Sequence, residues 1–445
     1  MAQVFPFCAY RYNPQLAPFQ NVLTQPYDKI SPEMQQKYYD AHPANLITVE
    51  KGREYPGDAP GNNVYSRAAA AFKDWEAKNL IAQDAAPAFY AYTQEFTVPG
   101  TTERRTRRGF IGAGKIEEYS AGVIFRHEHT LSGPKADRLE LLRNTRTHTG
   151  QLFMLYSDPR KRVDAILSEA ESSAAPATEV RDEYDVVHRL WVVSDSQKVS
   201  LIQSAMADQK LVIADGHHRY ETALNYRNER RAQISSVDPN APYERAMMTF
   251  INTRGEGLVI LPTHRVATNV HDFSWPAVRR YLEPWFSTEV FWFSNDAEKE
   301  SACRSFLARL KTSSQRAIGA YPISTDGQRA FYLLSLRAGV DLAQLLPNVS
   351  PLQRELDVVL LHEGILEPAL GITMQAVTKE ANLTYEREAA NALNAVDSGR
   401  AQVSFFLNAC DVEKVVEIAT ASEVMPQKST DFFPKLLSGI TMYRV

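Results

Sequence analysis

The chain has 445 residues, of which 44% are hydrophobic and 23% are charged, and its formal net charge is −4. This length exceeds the size at which a single hydrophobic core keeps growing, so we expect two or three domains. The slightly acidic balance argues against a general nucleic-acid-binding protein. No stretch approaches about 18 uninterrupted apolar residues, which argues against a membrane partner or span.

The cysteines and the first residues indicate a cytoplasmic protein. Cys8, Cys303 and Cys410 are widely spaced and fit neither a disulfide framework nor a zinc motif. The opening residues, Met-Ala-Gln-Val-Phe-Pro, lack the basic and then apolar layout of a signal peptide. We therefore expect the chain in a reducing compartment.

The first part of the chain predicts helices and one β-hairpin. Ser31-Pro32-Glu33 has the N-cap serine, first-position proline and acidic residue of a helix start. A second helix is expected over residues 63–79. Partial alternation over 87–98 and again over 109–116 predicts a hairpin. The basic run 104–108 lies at its tip, where we expect exposure to solvent.

The rest of the chain mixes helices and strands without strict alternation. Helical spacing covers residues 135–148, 197–207, 278–285, 298–310 and 350–366. Strands are expected at residues 152–156, 185–193, 210–214, 247–252, 258–261, 317–320, 329–336 and 402–407. This mix favours an α+β fold with a mixed-sheet core over a doubly wound sheet. We expect a first domain over residues 1–265 and an α+β C-terminal domain over residues 266–445.

The most informative segment joins a buried strand to a helix through one glycine. Residues 211–215 are apolar up to the final aspartate, Gly216 follows, and helical spacing begins at His217. A helix N-terminus carries unpaired N–H groups and a partial positive charge, which favour an anion. With the side chains of His218 and Arg219 added, the segment predicts a cradle for phosphate or carboxylate. The alternative is a surface Asp-Gly turn with one hydrogen-bonded histidine.

A second candidate lies at a junction between a loop and a helix. His127 and Glu128 are followed within a short loop by Lys135 and Arg138. The order His-Glu-His differs from the His-Glu-x-x-His of zinc proteases, so a zincin is not predicted. An acid among basic side chains suits a proton acceptor surrounded by phosphate-binding cations. The alternative is a solvated, charged turn.

Two later loops carry polar side chains that could contact an anion or a substrate. Lys428, Ser429 and Thr430 offer an ammonium and two hydroxyls in a proline-bounded loop, which lacks the glycines of a P-loop. Thr263 and His264 follow a predicted strand and so lie at its carboxyl end. The alternatives are an ordinary polar loop in the first case and a strand-ending loop in the second.

Several blocks of the sequence resemble the DUF1015 family of bacterial and archaeal proteins. They are residues 25–28, 127–130 with 134–139, 214–224, 261–264, and 425–430 with 434–435, in the family's order. The turn at 215–219 is also similar to the phosphate-binding turn of the ParB/sulfiredoxin-like superfamily, which includes kinases of free serine. The resemblance implies a ParB/sulfiredoxin-like strand-turn-helix in the first domain. The apolar residues that flank residues 425–435 suggest a tail tied to the body of the protein, so we expect this final loop to return to the site.

The resemblance and the residues together predict a kinase. It would transfer phosphate from ATP or ADP to the hydroxyl of a small metabolite, with free L-serine as the leading acceptor. Asp215 would hold Mg²⁺, and Glu128 would take the hydroxyl proton. Lys135, with Arg138 and Lys428, would balance charge on the transferring group. The candidates for the phosphates are Gly216, His217, His218, Arg219, Arg138, Lys428, Ser429 and Thr430, and those for the substrate are His127, Thr263, His264 and Lys435.

Two other functions stay open from the sequence. One is a nucleotide-binding switch protein that transfers no phosphate, and the other is a phosphoester hydrolase. The sequence does not choose between ATP, ADP and CTP. Sulfiredoxin chemistry is not expected, because His217 stands where that chemistry needs a reactive cysteine, and no basic helical module for DNA is visible.

Overall fold

The structure is a computed structural model that describes residues 1–128, 133–324, 327–373, 376 and 381–445. It divides into two compact units. One comprises Met1–Val259 with Phe432–Val445, and the other comprises Ile260–Asp431. From the sequence we expected the domain boundary after residue 265, with residues 266–445 in the second domain. The returning tail is mostly apolar and buried, so nothing in its composition distinguishes it from the core of the second unit.

A nine-stranded mixed sheet forms the centre of the first unit, in the order β6-β11-β8-β12-β5-β4-β10-β9 with β1 beside β5. Strand β6 is parallel to β11 and β8 is parallel to β12, whereas the other described pairs are antiparallel. The first strands of the chain are β1 (Val4–Phe5), β2 (Tyr10–Tyr12), β3 (Ile81–Gln83), β4 (Phe89–Thr97), β5 (Arg104–Lys115), β6 (Ile124–Arg126), β7 (Thr147–His148), β8 (Leu152–Tyr156), β9 (Thr178–Arg181), β10 (Val187–Val193), β11 (Leu211–Asp215) and β12 (Arg245–Asn252).

Some helices of the first unit begin at polar side-chain caps, and the sequence predicts the one at Ser31. Ser31 accepts a hydrogen bond from the N–H of Met34, and Asn63 forms a capping box with Ser66. The helices of this unit are α1 (Phe19–Val22), α2 (Pro32–Ala41), α3 (Ile47–Glu50), α4 (Val64–Ala77), α5 (Gly133–Thr145), α6 (Arg162–Ser173), α7 (Ser196–Met206) and α8 (His217–Ala232).

The main core of this unit lies between the sheet and three of its helices. Val163 of α6, Ile202 of α7 and Tyr220 of α8 belong to one buried cluster that also contains Met154 and Ile213 of the sheet. Burying each such side chain stabilises the fold by roughly 1.5–3 kcal/mol before entropy is counted. Packing against this core therefore fixes the position of α8 relative to β11.

The opposite face of the sheet is covered in part by the C-terminal tail. Side chains alternate between the two faces of a strand, so Phe153 points away from the cluster that contains Met154. The ring of Phe153 lies 5.4 Å from the ring of Phe432. Phe433 contacts Phe96 of β4 in the same way, with ring centroids 5.4 Å apart. The tail is thus anchored to the sheet by aromatic side chains.

The second unit is built on an antiparallel sheet of six strands in the order β15-β17-β16-β19-β14-β18. The remaining strands of the chain are β13 (Val259–Leu261), β14 (His264–Ala267), β15 (Phe286–Phe293), β16 (Ala317–Pro322), β17 (Arg329–Leu336), β18 (Leu383–Glu386), β19 (Val403–Phe406), β20 (Asp431–Phe433) and β21 (Tyr443–Arg444). The remaining helices are α9 (Trp275–Leu282), α10 (Asp296–Thr312), α11 (Leu342–Leu345), α12 (Asp357–Leu361), α13 (Glu367–Leu370), α14 (Ala389–Asp397) and α15 (Val412–Thr420). Its core joins Phe306 of α10 to Phe331 and Phe406 of the sheet.

The predicted long helix over residues 350–366 is interrupted. A 3₁₀ turn at Gln353–Glu355 precedes α12, and a π-helical turn at His362–Leu366 separates α12 from α13. Apolar spacing alone does not reveal such interruptions, because each short piece keeps its apolar residues buried.

The α+β class with a large mixed sheet is confirmed, whereas the finer ParB/sulfiredoxin-like assignment stays a prediction. Within the described residues, no helix combines the length and the apolar character needed to cross a membrane.

Candidate functional site

A left-handed glycine connects β11 to α8. Gly216 has φ 94° and ψ 26°, a conformation that residues with a Cβ rarely adopt. A Cβ here would also come within 3.0 Å of Arg219 Nε and 3.2 Å of Leu152. Glycine has no side chain with which to cap α8, so the first N–H groups of the helix depend on other partners. An anion is the partner that a helix start favours.

Asp215 ends β11 between two cations. Its Oδ1 lies 3.0 Å from Lys435 Nζ, and its Oδ2 accepts a 2.8 Å hydrogen bond from Nη2 of Arg219. Burial alone would raise the pKa of this carboxyl, but Lys435, Arg219 and Lys29 together lower it well below its ordinary value. Asp215 is therefore a carboxylate at neutral pH, and its charge is balanced by the surrounding side chains.

Two buried side chains of the β4–β5 hairpin hold the segment that carries Lys435. Arg107 is only 1% exposed, and its Nη1 donates to the carbonyl of Phe433 at 3.1 Å. Its Nε donates to Gln94 Oε1 at 3.0 Å, and Gln94 Nε2 donates to the carbonyl of Lys435 at 2.7 Å. Burial lowers the pKa of Arg107 to about 9. Arg107 and Gln94 therefore position Lys435 beside Asp215.

The burial of Arg107 corrects the expectation that the whole run 104–108 is a solvated hairpin tip. Arg104 is exposed, as expected. Arg107 instead lies on the face of the sheet that carries Phe153, and its guanidinium is 4.6 Å from the centre of that ring. The expectation was wrong because the covering segment comes from the far end of the chain, which the local pattern does not show.

His127 and His217 meet at the ends of parallel strands. Their ring centroids are 4.8 Å apart, and the backbone N–H of His127 makes a long hydrogen bond of 3.5 Å to Nε2 of His217. Burial, and then the neighbouring His127, lower the pKa of His217 to about 3. His217 is therefore a neutral imidazole with its proton on Nδ1, and it adds no positive charge to the helix start.

Glu128 lies beside this pair of histidines. His127 Nδ1 donates to the carbonyl of Ile213 at 2.7 Å, so its Nε2 is the ring nitrogen that faces Glu128, and Glu128 Oε1 is 3.6 Å away. His127 is fully buried and Glu128 is 16% exposed. The structure thus places a carboxyl group that can exchange protons next to the start of α8.

The two predicted cations of α5 have acidic or aromatic neighbours. Lys135 forms an ion pair with Glu221, which is on α8. Arg138 donates from Nη1 to the carbonyl of Glu50 at 2.8 Å, and its guanidinium lies 4.3 Å from the ring centre of Tyr27. These contacts hold α5 against α8 and the N-terminal segment.

The N-terminal block 25–28 also adjoins the turn, a placement that the sequence analysis missed. Burial raises the pKa of Tyr27 to about 12, although the charge of Arg219 opposes that rise. Asp28 in turn interacts with the charge of Arg219. A short block of proline, tyrosine and aspartate is a common surface turn, so its composition alone gave no sign of this location.

Two cavities lie beside Arg138. The larger, about 580 Å³, has Tyr27, Tyr65 and Val64 in its wall, and its size is typical of a ligand-binding pocket. The smaller, about 40 Å³, lies against Arg219, whose Nη1 is buried without a hydrogen-bond partner in the described part of the chain. A cavity of this size can hold a water molecule that satisfies Nη1.

The predicted residues Lys428, Ser429, Thr430, Thr263 and His264 belong to the second unit. Lys428 is exposed, and Ser429 is buried with its hydroxyl donating to the carbonyl of Pro426 at 2.5 Å. Thr430 is in the same unit, whereas Lys435 of the same predicted loop is in the first.

His264 is buried in the second unit. Its Nδ1 accepts a hydrogen bond of 3.4 Å from the N–H of Leu407. Burial, and then Arg265, lower the pKa of His264 to about 4. Thr263 is also buried, at 8% exposure. These contacts are those of a structural strand end.

A metal site built from protein ligands alone is not found in the described ranges, where no group of three or more His, Cys, Asp or Glu side chains is arranged to hold an ion. Asp215 is the carboxylate of the turn, and both of its oxygens have cationic partners. The site as built thus favours an anion.

Comparison with known proteins gives a family and distant structural likenesses. The model of the family described as "Protein of unknown function (DUF1015)" matches residues 4–359, and no curated protein matches. A conserved hypothetical protein from Pyrococcus furiosus is 12% identical, with 70% of this chain and 87% of that chain covered and a TM-score of 0.31. A free serine kinase in complex with AMP is 12% identical, with 70% and 83% covered and a TM-score of 0.32.

A third similar structure is SbnI with C-terminal truncation from Staphylococcus aureus. It is 9% identical, with 74% of this chain and 85% of that chain covered and a TM-score of 0.33. At TM-scores near these values, the likenesses carry no argument about function.

Proposed function

The chain belongs to the DUF1015 family of proteins of unknown function, as its sequence blocks predict, and we propose that it is a nucleotide-dependent kinase. The acceptor is the hydroxyl of a small metabolite, and free L-serine is the acceptor to test first. The phosphates of the nucleotide lie at the start of α8 in this proposal, next to the cations around Asp215.

The shared edge of β6 and β11 is the observation that carries the proposal. Because these neighbouring strands are parallel, their carboxyl ends bring Glu128 close to the start of α8. His217, the first residue of α8, is a neutral ring whose centroid lies 4.8 Å from that of His127. Phosphoryl transfer needs a proton acceptor and a fixed, positively polarised phosphate cradle, and in this proposal Glu128 is the acceptor and the start of α8 is the cradle.

The proposed reaction forms one bond and breaks one bond at phosphorus. The acceptor oxygen bonds to the terminal phosphorus while the bond from that phosphorus to the bridging oxygen breaks. The nucleotide leaves with one phosphate fewer, and the hydroxyl proton passes to Glu128. Catalysis then depends mainly on positioning and on neutralising charge.

The start of α8 and the basic side chains around the turn neutralise the phosphate charge in this proposal. The N–H groups at the start of α8 and the guanidinium of Arg219 face the donor, and His218 adds a side chain at the same turn. The role that the sequence suggested for Lys428 is assigned here to Lys435, because Lys435 is the tail cation that contacts Asp215. His217 donates from Nδ1 without adding charge.

Mg²⁺ enters with the nucleotide in this proposal, and its charge balances that of the phosphates. Asp215 is the protein carboxylate that would hold it. Both oxygens of Asp215 are paired with cations, so the ion fits only where the phosphates draw Arg219 or Lys435 towards themselves.

The test is a screen for phosphoryl transfer with Mg²⁺ and ATP, ADP or CTP against L-serine and a panel of small alcohols, read by mass spectrometry. Glu128→Gln should lower turnover by about 100-fold or more, because a positioned proton acceptor contributes at least that factor. Nucleotide binding should be unchanged in this variant. The matched control is Glu103→Gln at the exposed hairpin tip, which should keep full turnover.

Other outcomes of this screen would contradict parts of the proposal. Full turnover in Glu128→Gln removes the role of Glu128 as proton acceptor. Nucleotide binding without a phosphorylated product favours the switch protein, and release of inorganic phosphate without an acceptor favours the hydrolase.

A further inference from the structure

The larger cavity beside Arg138, about 580 Å³, lies within the first unit, and the proposed reaction does not yet use it. Part of its wall is apolar and buried, because Val49 is 1% exposed and Leu141 is 6% exposed. Tyr27 and Tyr65 add aromatic side chains to the wall. Since charged side chains complete it, the cavity suits a ligand that has both a flat ring and polar groups.

Arg138 joins this cavity to the turn before α8. Arg138 and Leu141 line both the larger cavity and the smaller one, and Arg219 lines the smaller one. The guanidinium of Arg138 lies 4.3 Å from the ring centre of Tyr27, and its side chain is only 11% exposed. The larger cavity is therefore one fixed side chain away from the cavity that Arg219 lines.

Two hydrogen bonds hold three side chains of the wall in a fixed order. Arg138 Nε donates to Asp137 Oδ2 at 2.8 Å, and the hydroxyl of Tyr65 donates to Asp137 Oδ1 at 3.0 Å. The side chain of Asp137 is 41% exposed. A carboxylate has about four acceptor sites, so Asp137 can accept further hydrogen bonds from a ligand.

This order matches the order of groups in a nucleotide. From the turn outwards, the wall presents the guanidinium of Arg138, the carboxylate of Asp137 and the ring of Tyr65. A nucleotide presents its phosphates, its ribose and its base in the same order. Acidic side chains accept hydrogen bonds from ribose hydroxyls in nucleotide sites, and aromatic side chains stack on bases.

The position of Glu128 argues against the acceptor as the occupant of this cavity. In the proposed reaction the acceptor hydroxyl lies beside Glu128, which takes its proton. Glu128 Oε1 is 3.6 Å from His127 Nε2, beyond the end of β6. The wall of the cavity is instead formed by Tyr27, by residues between 35 and 65 and by α5. The acceptor and the cavity thus belong to different places around the turn.

We propose that this cavity binds the nucleoside of the donor nucleotide, with the ribose at Asp137 and the base against Tyr65. The inference rests on the proposed position of the phosphates at the start of α8. It makes the donor a ribonucleoside polyphosphate, and it makes Asp137 the residue that selects the ribose.

Calorimetric titration of the full chain with Mg²⁺ tests the role of Asp137. The ligands are ATP, ADP, CTP and the 2′,3′-dideoxy form of whichever binds most tightly. The dideoxy form should bind about tenfold more weakly, because it lacks the hydroxyls that donate to a charged group. Asp137→Asn should reduce this ratio to about threefold or less. The control is Glu140→Gln on the same helix, 44% exposed and paired with Arg143, which should keep the ratio.

Glu54→Trp tests the cavity itself. Glu54 is exposed in the wall, and the larger side chain fills the space from that position. Nucleotide binding should weaken about tenfold, the effect of losing several buried contacts, while binding of inorganic tripolyphosphate stays unchanged. Because the variant removes an acid, its change of charge would favour an anion, so weaker binding reports the added bulk. Glu103→Trp at the hairpin tip, 53% exposed, should leave both affinities unchanged.

The outcomes separate this inference from the proposed function. If neither a nucleotide nor tripolyphosphate binds, the phosphate cradle fails and this inference fails with it. Unchanged nucleotide affinity in Glu54→Trp, or an unchanged dideoxy ratio in Asp137→Asn, overturns this inference while the kinase stands. Weaker binding of L-serine rather than of nucleotide in Glu54→Trp also overturns it, because the acceptor then occupies the cavity.

Discussion

Asp215 stays ionised because two cations pair with its carboxylate. The phosphates of a nucleotide would attract the same two cations. Lys435 and Arg219 lie 3.0 and 2.8 Å from its two oxygens. In the absence of a nucleotide, this arrangement satisfies a partly buried carboxylate and holds two donors near the start of α8. When an anion binds, it replaces Asp215 as the partner of each cation. In the proposed reaction, the same ion pairs would therefore serve both stability and phosphate binding.

Removing the tail cation should expose this dual role. Lys435→Met leaves Asp215 with one cationic partner, and we expect a loss of about 1–3 kcal/mol in stability at pH 7. The control is Lys73→Met, because Lys73 is exposed on α4, and it should leave stability within about 0.5 kcal/mol of the original. Urea unfolding at pH 7 measures both.

The pH dependence of this difference has a definite sign. The folded pKa of Asp215 is lowered, so the ion pair stabilises the fold above the unfolded pKa of about 3.9 and loses that effect as the pH falls towards the folded pKa. The gap between Lys435→Met and the unaltered chain should therefore be constant from pH 7 to 5 and should shrink below about pH 4. A gap that widens on acidification would contradict this assignment.

At the scale of the element, the turn before α8 combines backbone strain with a close contact. Gly216→Ala adds a Cβ to a residue with a φ of 94°, which is unfavourable for alanine. The new Cβ also comes into close contact with Arg219 and Leu152. We expect a loss of about 1–3 kcal/mol from backbone strain, together with the loss of nucleotide binding. Urea unfolding and calorimetric titration with ATP or ADP measure the two effects.

Gly122→Ala is the control that separates these effects. Gly122 also has a positive φ, 63°, but a Cβ there meets no atom within 4 Å. This variant should show backbone strain and normal nucleotide binding. If Gly216→Ala also bound nucleotide normally, the turn would not be the phosphate cradle.

Arg107 and Gln94 donate hydrogen bonds to carbonyl groups of the C-terminal tail. Loss of these bonds should make the tail more mobile. Arg107→Gln removes the donor to the carbonyl of Phe433, and it should raise the rate of amide hydrogen exchange over residues 432–438 at least tenfold. The control is Arg105→Gln on the same strand, since Arg105 pairs with Glu103 near the surface. Unchanged exchange in Arg107→Gln would mean that aromatic packing alone holds the tail.

Local patterns predicted many of the elements that surround the site. The strand at 210–214, the glycine and the helix that follows correspond to β11, Gly216 and α8. Strand and helix periods, caps and left-handed glycines are properties of neighbouring residues, so a sequence shows them directly. The hairpin of β4 and β5 was predicted for the same reason.

Long-range pairs could not be predicted in this way. Lys435 and Asp215 are separated by 220 residues, and Arg107 reaches the tail across 326 residues. Their meeting depends on the order of strands in the sheet and on the return of the chain to the first unit. The side chain of Arg107 looked like any solvated arginine, because burial is decided by what covers it.

At the scale of the whole molecule, neutral histidines are distributed over both units. Burial lowers the pKa of His148 to about 4 and, with His127 second, that of His217 to about 3. In the second unit burial, followed by Arg265, lowers the pKa of His264 to about 4 and that of His362 to about 3. Among the described residues, each unit therefore contains at least two histidines that stay neutral in the folded state at neutral pH.

These histidines predict that acid destabilises both units well above the range in which carboxylates titrate. The unfolded chain takes up protons near pH 6.5 and the folded chain does not, so each histidine lowers stability by up to about 1.4 kcal/mol per pH unit below that value. Melting temperatures from calorimetry should fall steadily from pH 7 to 5. His148→Phe should reduce the slope for the first unit, because the ring can still stack on Tyr443, 6.1 Å away, while its proton site is lost. His271→Gln, at a side chain 93% exposed, should leave the slope unchanged, and a melting temperature that is constant over this range would show that the histidines are protonated in the fold.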